Sequence, residues 1–88
     1  MKIEYHKNFT KQFEKLRKGE QERILSTLKL FEKEPFNEQL RNYQLKGELP
    51  KFRSISSGGD IRLHCYEKAF DHITVIFVAI GSHSQLYG

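Results

Sequence analysis

Of the groups in this 88-residue chain that move protons near neutral pH, the four histidines come first, and His83 is best placed to meet a substrate. It follows an apolar run and stands between Gly81-Ser82 and Ser84, where a chain leaving a strand exposes its side chains. An unperturbed imidazole titrates at about pH 6.5, so it can give or take a proton under ordinary conditions. A lone histidine at a strand end is nevertheless more often a surface residue or a hydrogen-bonded cap. Tyr87, in the same tail, reads either as a ring for a substrate or as an anchor packed on a sheet edge.

A second group lies on the stretch Ile61 to Tyr66. Strand alternation sends Ile61, Leu63 and Cys65 to one side and Arg62, His64 and Tyr66 to the other. Helices can cover only one of these sets, which leaves Arg62, His64 and Tyr66 on an open face. The neighbouring strand adds Arg53 and Ile55, or Ser54 and Ser56, depending on register. Arginine forks bind phosphate and aromatic rings stack on unpaired bases, so such a face suits RNA. A solvated sheet face with snorkelling Arg and Tyr has the same composition. Asp60 precedes this strand in a turn, where Asp is common for conformational reasons alone. His6, His64, His72 and Cys65 lack zinc-ligand spacing, so no metal and no other cofactor is expected.

These groups need elements to hold them. Ile3 and Tyr5 alternate with Lys2, Glu4 and His6, which predicts a short strand. Asn8 offers an N-cap, Phe9, Phe13 and Leu16 follow at helical spacing, and Gly19 reads as the stop. From Glu20, the spacing of Ile24, Leu25, Leu28 and Phe31 predicts a second, longer helix up to Pro35. Lys29, Glu32, Lys33 and Glu34 fill its solvated face. The segment Pro35 to Pro50 reads as a loop with a helical turn around Glu38 to Arg41. Lys51 to Ser56, Ile61 to Lys68 and Ile73 to Ile80 read as strands. Ser57-Gly58-Gly59-Asp60 turns between the first two and Ala69-Phe70-Asp71-His72 between the last two. The run Ile73 to Ile80, apolar almost throughout and rich in β-branched residues, is the expected centre of the sheet. The expected fold is therefore α+β, ordered β-α-α-β-β-β, with a helical hairpin on a mostly antiparallel four-stranded sheet.

Length fits one domain spanning residues 1–88, with no repeat or low-complexity tract. Fifteen Lys and Arg against eleven Asp and Glu give a net charge of +4, which favours a polyanionic partner. The lone Cys65 excludes an internal disulfide framework and fits a reducing compartment, so the expected location is the cytoplasm. No apolar run reaches the roughly 20 residues a membrane helix needs, and no signal peptide is evident.

Taken together, Leu45-Lys46-Gly47, Phe52-Arg53, Asp60-Ile61-Arg62-Leu63 and the ending Gly81-Ser82-His83-Ser84-Gln85-Leu86-Tyr87 resemble the RelE/ParE superfamily of bacterial toxins, most of all its YafQ-type branch. The resemblance spans nearly the whole chain. It implies a ribosome-dependent mRNA endoribonuclease, restrained by a cognate antitoxin and cutting without a metal ion. The chemistry would be attack of a ribose 2′-OH on the adjacent phosphate, which needs a base, an acid and a cation beside the developing charge. By resemblance, His83 protonates the leaving 5′-oxygen and Asp60 serves in acid/base work or orients a partner. Arg62 stabilises the phosphorane-like charge, and Tyr87 stacks on or orients the substrate. Arg53, Lys46, Lys51, Ser56, Tyr43 and His64 are the expected RNA contacts. Tyr43 and Ser56 stand where YafQ-type members carry further histidines. Ala79 stands where they carry an arginine, a role Arg62 takes over from the adjacent strand, as in the RelE branch.

Two other functions fit the same fold. A ParE-like poison of DNA gyrase would need no acid/base pair, and a non-toxic module would keep only the antitoxin surface.

Overall fold

A computed structural model describes residues 1–47, 51–68, 73–82 and 85–86. The chain runs β1 (Lys2–Tyr5), α1 (Lys7–Glu14), α2 (Lys18–Lys33), a 3-10 turn (Glu38–Leu40), β2 (Tyr43–Gln44), β3 (Arg53–Ser56), β4 (Ile61–Glu67) and β5 (Thr74–Ser82). The five strands form one sheet in the order β1-β5-β4-β3-β2. β1 runs parallel to β5 and every other pair is antiparallel. The expected α+β class holds, with one strand more than the four expected. The addition is β2, whose two residues are too few to show a period in the segment read as a loop.

Both helix starts differ from the sequence reading. His6, not Asn8, is the N-cap of α1, its Nδ1 accepting from the Asn8 N–H at 3.0 Å. Gly19 does not stop the helix but lies in the first turn of α2. The break falls at Lys15 to Arg17, where extended Arg17 opens α2 and its N–H donates to the Glu20 carboxylate at 3.2 Å. A guanidinium has no acceptor, so only the glutamate half of a capping box operates there. α2 ends at Lys33, ahead of Pro35 as expected, because the residue before a proline is held extended, and Glu34 adopts φ −141°. The helical turn expected near Glu38 to Arg41 is the 3-10 turn, closed by Arg41 in the left-handed region at φ 47°.

The core lies between the helices and one face of the sheet. Phe9 from α1, Ile24, Leu28 and Phe31 from α2 and Leu40 pack on Ile55, Leu63, Cys65, Val75, Phe77 and Ile80. Leu25, expected in the same stripe, is half exposed. Phe77 is the hub, fully buried with the rings of Phe31, Phe9 and Tyr5 at 5.3, 5.7 and 6.3 Å. Tilted and edge-on pairs of this kind add to the burial itself. β5 is thus an interior strand as expected, although β4 holds the middle of the sheet. The connection 69–72, expected to close the β4–β5 hairpin, lies outside the described residues. The Lys68 N–H donates to the Thr74 carbonyl at 2.9 Å across its mouth.

Truncating Phe77 to alanine removes a ring with no route to collapse, a change that costs about 3–5 kcal/mol. In so small a domain this approaches the whole stability. Urea denaturation of Phe77→Ala should show a largely unfolded population without denaturant, and a cooperative transition near that of the wild type would contradict the hub assignment.

Candidate RNA-binding face and active site

The β3–β4 register decides which residues share the open face. Ser56 stands opposite Arg62 and Ser54 opposite His64, while Ile55 and Arg53 stand opposite Leu63 and Cys65. The alternative with Ser54 and Ser56 on this side therefore holds, with Ser54 itself buried. β2 adds Tyr43 beside Ser54, and β5 adds Gly81 beside Arg62 and Ala79 beside His64. Two rows result, Ser56–Arg62–Gly81 and Tyr43–Ser54–His64–Ala79, about 7 Å apart along the strands.

Arg62 is fixed by the turn that precedes it. Its Nη1 donates to the Ser56 hydroxyl at 3.3 Å and to the Gly59 and Ile61 carbonyls, both at 3.1 Å. Among the described residues Nε and Nη2 make no hydrogen bond, so that edge of the fork can receive a phosphate. The turn depends on its glycines, since Gly58 and Gly59 sit at φ 84° and 53°. Ser57 ties it to α2 through a 2.7 Å contact with the Thr27 hydroxyl. A Cβ at Gly58 would also stand 3.1 Å from Arg23 Cδ. Asp60 is exposed in the same turn.

His64 is half-buried, and desolvation lowers its pKa from the ordinary 6.5. The ring is therefore neutral at neutral pH and offers one donor and one acceptor rather than a charge. Tyr66, on the same face, meets Phe52 edge-on at 5.4 Å.

Arg53 is placed on the opposite face, a correction to its expected place among the RNA contacts there. Its Nε donates to Asn42 Oδ1 at 2.7 Å and its guanidinium lies 5.2 Å from the centre of the Phe36 ring. There it partly offsets the burial that pushes the Cys65 thiol up to about 12, so Cys65 is an inert core residue. Lys46 and Lys51 are exposed and follow a further β2–β3 rung, the Leu45 N–H donating to the Phe52 carbonyl at 2.8 Å. They mark the far end of the sheet, about 17 Å along β3 from Ser56. His83 and Tyr87 lie outside the described residues.

Ser82 and Gln85 are described, and the sequence reading assigned them no role. The Ser82 N–H donates to Gln85 Oε1 at 2.8 Å, and the Gln85 N–H donates to the Ser82 hydroxyl at 3.2 Å. This is a reciprocal capping box, and Ser-x-x-Gln is its sequence signature. Gly81 lies beneath it, and a Cβ there would be tight against both side chains, 3.1 Å from Leu86 Cγ and 3.2 Å from Gln85 Oε1. Among the described residues no cluster of three His, Cys, Asp or Glu could hold a metal ion. No described helix is long and apolar enough to cross a membrane.

The fold is shared with solved toxin structures. An archaeal RelE–RelB complex from Pyrococcus horikoshii matches at TM-score 0.75 and 20% identity, over 96% of each chain. A DinJ–YafQ complex from E. coli matches at TM-score 0.67 and 21% identity, over 98% of this chain and 97% of that one. A copper-bound mutant toxin from Helicobacter pylori matches at TM-score 0.69 and 28% identity, over 99% of both. No curated protein matches the sequence. The family model of YafQ, the bacterial toxin of a type II toxin-antitoxin system, matches residues 1–88, and the chain belongs to that family.

Because the folded state disfavours the His64 cation, the unfolded chain binds more protons between the lowered value and 6.5. Stability is therefore flat above about pH 6.5 and falls as pH drops through that window. An NMR titration should place the His64 midpoint below 6.5, with the urea midpoint falling over the same range; a His64 midpoint above 6.5 would contradict the desolvated site.

Proposed function

We propose that this toxin is an endoribonuclease that cleaves mRNA on the ribosome by attack of a ribose 2′-OH on the adjacent phosphate, without a metal ion. One observation carries the reading: Arg62 is locked onto the open face by its own turn, directly across from Gly81, where the C-terminal segment leaves the sheet. A guanidinium held in place before the substrate arrives stabilises developing phosphorane charge with little reorganisation. His83 then acts as the acid for the leaving 5′-oxygen, Asp60 works as a base or orients one, and Tyr87 contacts the base. Tyr43, Ser56 and neutral His64 line the RNA path, with Lys46 and Lys51 taking phosphates further along. Arg53 has no place on this path.

The antitoxin is a partner by the same reading, since RelB and DinJ accompany relatives in their solved complexes. Half-exposed Tyr5 and Leu25 line an apolar groove with Phe9, Phe13 and Leu28 between α1 and α2. An antitoxin segment that folds on binding would cover it.

Removing a preorganised donor from developing charge costs about 10²–10³ in rate. Arg62→Ala should lower kcat on ribosome-bound mRNA by at least that factor. Arg62→Lys should recover little of it, because an ammonium lacks the fork. Full cleavage by Arg62→Ala would sink the assignment, and absence of cleavage by the wild type would leave a binding-only toxin.

A further inference from the structure

β1 pairs with β5 only as far as Tyr5 opposite Phe77, where the His6 N–H donates to the Phe77 carbonyl at 2.8 Å. β5 continues to Ser82, and among the described residues no strand covers that edge beyond Phe77. Its backbone groups are met by side chains of α1 instead. Asn8 Nδ2 donates to the Val78 carbonyl at 3.0 Å, and the Ile80 N–H donates to Gln12 Oε1 at 2.7 Å. Asn8 Nδ2 also reaches Gln12 Oε1 at 3.5 Å, joining the two amides.

The spacing explains why a helix can do this. Four residues of helix rise about 6 Å, and two residues of strand rise about 6.6 Å. Asn8 and Gln12 on α1 therefore match Val78 and Ile80 on β5. The two amides stand in for a missing strand, one donating and one accepting, as a ladder would.

The match falls on an irregularity in the sheet. His64 faces Ala79 and Cys65 faces Phe77, which leaves Val78 as the extra residue of a β-bulge. The bulge changes every later pairing. It lets Phe77 and Ile80, three apart, both enter the core, and it sets Gly81 opposite Arg62 and Ser82 opposite Ile61. A regular ladder continued from Phe77 would put Ile80 opposite Arg62 and carry the end of β5 one residue, about 3.3 Å, further along.

We infer that Asn8 and Gln12 are positioning residues for the active site: as a side-chain substitute for a strand they hold the Val78 bulge and so aim the end of β5 at Arg62. The inference rests on the proposed nuclease reading where it concerns catalysis, and on the register alone where it concerns the clamp. Gln12 touches no substrate and acts through Ile80 and Gly81. Productive geometry tolerates only about 0.5 Å, so a shift of one residue takes Gly81 and Ser82 out of register with Arg62 and Ile61.

Three variants test it. Gln12→Leu keeps the size and removes the acceptor, Gln12→Glu keeps an acceptor oxygen, and Asn8→Ala removes the exposed half of the clamp. Gln12→Leu should lose protection of the Ile80 amide in hydrogen exchange and lose the cross-strand NOE between Arg62 and Gly81. Its kcat on ribosome-bound mRNA should fall about a hundredfold, with KM within about twofold. Gln12→Glu should recover both signals and most of kcat. Asn8→Ala should move the same readouts the same way by a smaller factor, and it decides the matter if Gln12→Leu does not fold. Retention of the NOE and the Ile80 protection in Gln12→Leu overturns the clamp, whether or not RNA is cut. Loss of the NOE with unchanged kcat overturns the positioning role. A wild type that cuts no mRNA defeats the nuclease reading, while the NOE and exchange comparison still judges the clamp.

Discussion

Burial of Phe77 on β5 is the contact around which the other elements are arranged. The ring is met by Tyr5 at the end of β1, Phe9 in α1 and Phe31 in α2, so one side chain brings three chain segments to one strand. β1 joins β5 in parallel up to this residue and no further. Immediately beyond it the ladder bulges, and α1, already held by Phe9, supplies the amides that the bulge needs. An unpaired backbone N–H at a buried residue such as Ile80 costs about 1–3 kcal/mol, so a bulge here requires Gln12 or an equivalent partner.

The sheet separates two environments. Its inner face takes the apolar set, together with a Cys65 thiol that burial keeps protonated. Its outer face carries Arg62, His64, Tyr43 and Tyr66 in registers set by the β3–β4 turn. On that face charge and neutrality are arranged separately: the Arg62 guanidinium is pinned by turn carbonyls, while partial burial holds the His64 ring neutral. A fixed cation beside a neutral hydrogen-bonding ring is a combination that phosphoryl chemistry on RNA can use.

Much of this was legible in the residue pattern. Alternation along Ile61 to Tyr66 assigned Leu63 and Cys65 to the core and Arg62 and His64 to the open face, because a period of two leaves little ambiguity. The glycines of Ser57 to Asp60 announced the hairpin, and the ending Gly81 to Tyr87 announced the family. Arg53 was ambiguous because side depends on register, which one strand alone does not determine. Gly19 looked like a stop because glycine is a poor helix former, yet the apolar stripe of α2 outweighs one such residue. β2 was too short to show a period. The bulge at Val78 was hidden because the surrounding run is apolar at almost every position, so a slip of one leaves no mark in the sequence. Asn8 read as an N-cap and Gln12 carried no signal, because the partner of each is backbone, which has no sequence signature.

We propose that the open face and the C-terminal segment together cut mRNA, with His83 as the proton donor. The most direct measurement is mapping of mRNA 5′ ends in cells after induction, wild type against His83→Ala at matched protein levels. Discrete cuts at codon-related positions are expected in the wild type, and their disappearance in the variant. Transcripts that stay intact with the wild type, or cuts that persist at full strength in His83→Ala, would contradict it.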